Sequence, residues 1–251
     1  MTNKYIRIVG GQYRRTPITV IDAPGLRPTP DRVRETLYNW LQYFWDGEFA
    51  GKRVLDLFAG SGALGFEAAS RGVAHVQMVE RDKAALAALR TLRDKLGASQ
   101  IRIHAGDAME TLRRMDASRY DLVLLDPPFG QGWLERVWPL LPGILNDGAL
   151  VYVESEADIQ PDALAKPSGH PSLPAKPPAA DDHEAAAARR VAEPSPFAGA
   201  AASAERPPGT EPGGPGEPGE PGEPGQQFEI LRKDRAGAVH YALLRFAAMR
   251  K

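Results

Sequence analysis

The sequence predicts an α/β fold, a mostly parallel sheet with helices on both faces, from three observations. Short apolar runs alternate with helical stretches from residue 53 to residue 153, and a glycine-rich turn follows the first of those runs. Two more apolar runs near the C-terminal end are joined by a polar turn with no helix between them. Alternating strand and helix implies parallel pairing, whereas a short direct turn implies an antiparallel hairpin.

Each element has its own signal. Thr29 reads as a helix N-cap with Pro30 at the first helical position, and Val33, Leu37, Trp40, Leu41 and Phe44 then recur on one helical face. Strands are expected at 54–58, 76–79, 101–103, 122–125 and 150–153, with helices at 63–71, 83–96 and 109–115. The runs 228–232 and 239–246, separated by Lys233-Asp234-Arg235-Ala236-Gly237-Ala238, are expected to pair as the hairpin.

Between them lies a different kind of segment. Residues 158–225 hold 15 Pro and 9 Gly in 68 positions and almost no large apolar side chains, so they cannot bury a core. The Gly-Glu-Pro triplets near Gly225 resemble a collagen period but are too few for a triple helix. A disordered, extended insert within one domain is expected, between the fifth and sixth strands of the sheet. The expected organisation is therefore an N-terminal basic segment (1–50), a catalytic domain in two pieces (51–157 and 226–247) and the insert.

Composition excludes several chemistries. The chain has 251 residues, 43% apolar and 25% charged, which suits a globular domain with an appendage. Zero cysteines remove disulfides, thiolate metal sites and cysteine nucleophiles, and the five scattered histidines form no metal-spaced pair, so no metal is expected. The polar start and the lack of a long apolar stretch predict a cytoplasmic protein with no membrane association, and a monomer is expected.

Charge is unevenly distributed. The insert carries 11 acidic and 5 basic residues, a net of −6, so the remainder of a chain with net −1 carries +5. Residues 1–35 alone hold Lys4, Arg7, Arg14, Arg15, Arg27, Arg32 and Arg34 against Asp22, Asp31 and Glu35, a net of +4.

The glycine turn points to a nucleoside ligand. Gly60, Gly62 and Gly65 fit G-x-G-x-x-G after a strand and before a helix, and Glu80 ends the next strand about 20 residues on, where an acid can hold ribose hydroxyls. Asp56, just before the loop, suits a cationic amine better than a pyrophosphate. S-adenosyl-L-methionine fits that requirement; the literal match also leaves a nicotinamide enzyme open.

The pattern D-x-F-x-G-x-G, followed by a strand ending in an acid, resembles the Rossmann-like S-adenosylmethionine-dependent methyltransferases. The resemblance implies a seven-stranded sheet, Gly60 and Gly62 beside the methionine part, Glu80 at the ribose and Asp107 near the adenine. Asp56, Phe58, Arg81, Ala108 and Asp126 fall at cofactor-lining positions by the same resemblance. Asp107 can equally be a helix cap before Met109.

Asp126-Pro127-Pro128-Phe129 ends the fourth strand of the sheet, and prolines alone would explain a strand stop. Beside a methyltransferase cofactor motif, however, it resembles the (D/N)-P-P-(F/Y) signature of enzymes that methylate planar exocyclic nitrogens. Such an amine is a poor nucleophile because its lone pair is delocalised into the ring. Asp126 and the carbonyl of Pro127 are expected to accept its two hydrogens, Pro127 and Pro128 to hold them rigidly, and Phe129 to stack on the base for roughly 1–3 kcal/mol.

The N-terminal motifs R-I-x-G-G and G-L-R-P-T-x-D-R-V-R-E, with D-x-F-A-G-S-G-A-L-G, D-P-P-F and Y-V-E-S-E, are together similar to the bacterial 16S ribosomal RNA guanine-N2 methyltransferases of the RsmD family. The similarity covers residues 5–157 and, more loosely, 226–247; the 68-residue insert departs from it. It implies 16S rRNA as partner, within a small-subunit particle, with Arg7, Arg14, Arg15, Arg27, Arg32 and Arg34 at the RNA-binding face. The alternatives are an adenine-N6 DNA methyltransferase, a glutamine-N5 protein methyltransferase, or a non-catalytic RNA-binding factor on the same fold.

Overall fold

The computed structural model describes residues 4–20, 29–115, 119–160 and 227–248. The chain divides into two units, Met1–Ser168 with Pro215–Lys251, and Gly169–Gly214; the second lies wholly outside the described residues. The insert from residue 161 to 225 therefore lies outside them too. Its first residues do not fit a coreless segment, because Ile159 is buried in the same apolar cluster as Val151 and Phe228.

A seven-stranded sheet forms the centre. Its strands are β3 (Arg53–Asp56), β4 (His75–Glu80), β5 (Ile101–Ala105), β6 (Tyr120–Leu125), β7 (Leu145–Ser155), β8 (Phe228–Ala236) and β9 (Val239–Phe246), in the order β5-β4-β3-β6-β7-β9-β8. The first five are mutually parallel, while β9 runs antiparallel to both β7 and β8. This is the Rossmann-like methyltransferase fold, with the expected C-terminal hairpin. From β3 the chain winds outward one way to β4 and β5, then returns to β6 on the other side of β3. Such a reversal leaves a crevice at the carboxyl ends of β3 and β6.

Alternation along the strands sends successive residues to opposite faces. Leu122, Leu124, Leu150 and Tyr152 join one core with α1 (Asp31–Phe44), α2 (Ala63–Ser70) and Leu89 of α3 (Lys83–Leu96). Val123, Leu125, Val151 and Val153 join the other, with α4 (Ala108–Arg114) and α5 (Trp133–Val137). Local chemistry fixes the helix ends: Asp82 accepts the Ala85 N–H, and Gly97 ends α3 in the left-handed region with φ 59°. Among the described residues no helix is long and apolar enough to cross a membrane.

Two features of the N-terminal segment differ from expectation. It contains a hairpin besides its helix, β1 (Lys4–Arg7) pairing antiparallel with β2 (Pro17–Val20). The strands are four residues each, too short for alternation to stand out from a basic, irregular sequence. Also, Pro30 occupies the N-cap position of α1 with no side-chain cap bond, so Thr29 does not cap the helix. Its hydroxyl is engaged elsewhere, as described below.

The hairpin is fastened to α2. The Val9 and Gly10 amides donate to the two carboxylate oxygens of Glu67 at 2.7 and 2.8 Å, and the Tyr13 amide donates to the Ser70 hydroxyl at 2.8 Å. Gly11 has φ +74° and sits so close to α2 that a Cβ there would lie 1.9 Å from the Ser70 carbonyl oxygen. Only glycine meets both demands.

Candidate active site

The five parallel strands all end at or beside an acid: Asp56 on β3, Glu80 on β4, Asp107 just beyond β5, Asp126 just beyond β6 and Glu154 near the end of β7. Register brings these acids to one edge of the sheet, since Asp56 pairs with Met78 and Leu124, and Leu124 with Tyr152. None of the five has a Lys, Arg or His ion pair among the described residues within 4.0 Å. Nor is any set of three or more His, Asp or Glu side chains there arranged to hold a metal ion.

Asp56 is buried and accepts the Gly65 N–H at 3.0 Å. Burial, with Glu80 nearby adding to it, pushes its carboxyl up to about 7, against the opposing pull of the Gly65 and Phe58 amides. Phe58 packs edge-on against Trp133, with ring centroids 5.4 Å apart.

Glu80 binds the glycine turn directly. Its Oε2 accepts the Gly60 N–H at 2.8 Å and its Oε1 the Arg81 and Asp82 amides at 2.7 and 2.8 Å, while the Arg81 side chain is exposed. Gly60 and Gly62 both have positive φ, 52° and 80°. A Cβ on Gly62 would meet Leu89 and Phe66 at 2.5 and 2.7 Å, and one on Gly65 would meet Met78 and Asp56. The glycines thus let α2 pack close to β4 and α3.

Asp107 caps α4, accepting the Met109 and Glu110 amides at 2.9 and 3.2 Å, and Ala108 is the buried first residue of that helix. Beyond β6, Pro127 is buried, while Pro128 and Phe129 are half-buried. The Gly130 amide donates to Glu156 at 2.7 Å, which fixes the far end of the tetrapeptide.

Asp126 continues the row Leu122, Leu124, and Glu154 continues the row Leu150, Tyr152; both acids therefore face the α1 side. Thr29 stands between them, its hydroxyl 2.9 Å from Glu154 Oε1 and 3.3 Å from Asp126 Oδ2. The Tyr152 hydroxyl donates to the same Glu154 oxygen at 2.9 Å. Burial first, then the charges of Glu154 and Asp56, raise the Asp126 carboxyl well above the usual range, while the Thr29 bond lowers it. Burial raises Glu154 as well, opposed by the Thr29 and Tyr152 bonds. Sequence reading placed Glu154 in a motif without giving it a role. Its signal was parity: two residues beyond Tyr152 on a buried strand, an acid has to face the core.

The basic residues separate into two groups. Arg14, Arg15 and Arg32 are exposed, and Arg7 is exposed with its Nε 3.0 Å from Asp31; Arg27 lies outside the described residues. Arg34, expected at the RNA-binding face, is fully buried and cannot contact RNA. Its guanidinium donates to the carbonyls of Arg7 at 2.8 Å and Thr29 at 3.3 Å, pairs with Asp31 at 2.6 Å and lies 3.6 Å from Glu67. A planar five-donor group suits that junction of hairpin, α1 and α2. Arg71 completes it, pairing with Glu67 at 3.0 Å and lying over the Tyr38 ring at 4.8 Å.

The profile of the family described as Conserved hypothetical protein 95 matches residues 6–167. The chain is 43% identical over 172 residues, 68% of its own length and 80% of the relative's, to ribosomal RNA small subunit methyltransferase D of Escherichia coli strain K12. It is 39% identical over 161 residues, 61% of its length and 80% of the relative's, to the Haemophilus influenzae protein of the same name. A solved Escherichia coli structure, the candidate methyltransferase yhhF, superposes with a TM-score of 0.63 at 32% identity, covering 98% of this chain and 100% of that one.

Proposed function

The chain belongs to the family described as Conserved hypothetical protein 95, the RsmD family, and on that premise we propose that it transfers a methyl group from S-adenosyl-L-methionine to the N2 amine of a guanine in 16S ribosomal RNA. The observation that carries this reading is the row of acids at the sheet edge, set beside Asp126-Pro127-Pro128-Phe129. Asp56, Asp126 and Glu154 converge with no cation paired to them among the described residues, so they favour a ligand that brings positive charge. S-adenosyl-L-methionine carries a sulfonium and an ammonium, and when bound it supplies an electrophilic methyl group.

The residues present fit that ligand. Glu80 spends three acceptor positions on backbone amides and keeps capacity for one ribose hydroxyl. Asp56 favours the ammonium end, Phe58 offers an apolar ring, and Asp107 with Ala108 lies at the strand end where the adenine is expected.

For the reaction, Asp126 and the Pro127 carbonyl accept the amine hydrogens, which localises the nitrogen lone pair and opposes the charge that develops there. Phe129 stacks on the flipped or single-stranded base. The rest is orientation, since direct displacement needs no covalent enzyme intermediate. Arg7, Arg14, Arg15 and Arg32 supply phosphate contacts, which give affinity and salt dependence but no base choice.

Asp126→Ala, with labelled cofactor and small-subunit particles lacking the modification, is expected to keep cofactor binding through Asp56 and Glu80 and lose about 10²-fold in turnover. Undiminished turnover would reject the amine clamp, and nucleoside mass spectrometry of the product reports base and atom.

A further inference from the structure

Thr29 and Glu154 have no catalytic or binding role assigned so far, yet the Thr29 hydroxyl ties the N-terminal segment to the proposed amine clamp, reaching Asp126 and Glu154 together. We propose that they are positioning residues for Asp126: the Thr29 hydroxyl bridges two carboxyl groups that together hold one shared proton, leaving Asp126 free to receive the proton shed by the methylated amine. The proposal rests on the reading of Asp126 given above and extends it from hydrogen-bond acceptor to proton acceptor.

The geometry limits the options. A hydroxyl has one proton to donate, and Thr29 lies within hydrogen-bond reach of an oxygen from each acid. If Thr29 donates to Glu154, only its lone pairs face Asp126, and a satisfied contact needs a proton on Asp126. If it donates to Asp126, Glu154 must carry the proton. The two arrangements interconvert by moving two protons along one bridge, and only the second presents Asp126 as a bare carboxylate to an amine.

The groups facing the pair set its proton count. Asp56 faces it from β3 and Tyr152 from β7; behind Tyr152 the Tyr241 ring of β9 lies 6.3 Å from the Tyr152 ring, with its hydroxyl donating to Asp234. Asp56 and Tyr152 are acids, and among the described residues no Lys, Arg or His pairs with either carboxyl of the pair, so two bare carboxylates side by side are disfavoured. Thr29 itself is pinned from behind, its carbonyl accepting from buried Arg34.

Bonds and charges balance through the transfer. The amine lone pair forms the new nitrogen–carbon bond, and the carbon–sulfur electron pair stays on sulfur, so the positive charge passes to nitrogen. Nitrogen then releases a proton to Asp126. At that point Asp126 and Glu154 are both neutral, beside a thioether that no longer needs their charge.

The test is a carboxyl carbon NMR titration of the full chain without cofactor, with Asp126 identified through Asp126→Asn. Glu154→Gln removes the neighbouring charge and is expected to move the Asp126 midpoint down in pH. Thr29→Val removes a donor and is expected to move it up, and Thr29→Ser is expected to leave it in place. The acid limb of single-turnover methyl transfer is expected to follow in the same opposite directions, with kcat lowered about tenfold or more in the Gln and Val variants. Packing roles alone would move neither midpoint, so unchanged midpoints, or shifts of one sign, overturn the proposal. Should Glu154→Gln not fold, the Val and Ser pair decides: equal midpoints overturn it. Full turnover in Asp126→Ala instead rejects the clamp, whatever the titration reads.

Discussion

Replacing Arg34 with Met separates the two kinds of arginine in the N-terminal segment. The substitution keeps most of the side-chain volume but strips the donors from the Arg7 and Thr29 carbonyls. Each buried acceptor left without a donor costs about 1–3 kcal/mol. The pair with Asp31, which is 39% exposed, adds less than about 1 kcal/mol. Glu67 keeps Arg71 and two backbone amides, so its charge is not orphaned. The total is about 2–7 kcal/mol, and at about 2–4 °C per kcal/mol for a domain of this size the melting temperature falls by roughly 4 to 28 °C. Thermal denaturation followed by circular dichroism measures this. In the same assay Arg14→Ala and Arg15→Ala are expected to stay within about 0.5 kcal/mol of the parent, yet each to lower RNA affinity and reduce the salt slope by about one. Were Arg34→Met to melt with the parent and instead weaken RNA binding with a phosphate-like salt slope, the assignment of Arg34 to the interior would be wrong.

Three further outcomes follow from single side chains. Gly11→Ala combines a positive φ with a Cβ driven into the Ser70 carbonyl, and a loss of about 3 kcal/mol or more is expected, read as a lower urea midpoint. Asp56, raised in the folded protein to about 7 from 3.8, contributes stability that is fully present below about pH 4 and lost as pH rises through 7, with an upper bound of about 4 kcal/mol. The urea midpoint of Asp56→Asn is therefore expected to be flatter than that of the parent between pH 5 and 8, and parallel curves would contradict the burial argument. Asp107→Ala is expected to cost about 1 kcal/mol through the lost cap; cofactor affinity measured by calorimetry then reports separately whether Asp107 also serves the adenine.

Much of the sheet was legible because parallel strands buried on both faces read as short continuous apolar runs, and Leu122 to Leu125 is such a run. The helix over Lys83–Leu96 was read to the residue, since Asp82 and Gly97 are strong stop signals at its two ends. The β1–β2 hairpin was not legible, because its stability comes from Glu67 and Ser70, almost 60 residues away, rather than from its own short strands. The same applies to Thr29: a threonine before a proline and an acid has the local signature of a cap, and only the fold brings Asp126 and Glu154 within reach of its hydroxyl. Local rules describe what a side chain can do, and long-range contacts decide which option is used.

Arg34 shows why charge counting misled at one position and served at others. The segment is basic overall, but its arginines alternate between outward and inward duty along α1, with Arg32 exposed and Arg34 buried two residues on. The inward arginine meets Glu67, which sits in the helix that follows the glycine turn. The proposed RNA-facing hairpin is thus mounted on α2, whose first turn adjoins the proposed cofactor loop, and Arg34 also holds the carbonyl of Thr29 beside Asp126. A chain with net charge −1 is in this way strongly polarised, with acids that have no ion pair among the described residues gathered at the sheet edge and exposed arginines on the segment before it. That separation suits a site that draws a cation inward and a polyanion to its rim, and it explains why the few inward arginines must be neutralised by buried acids such as Glu67.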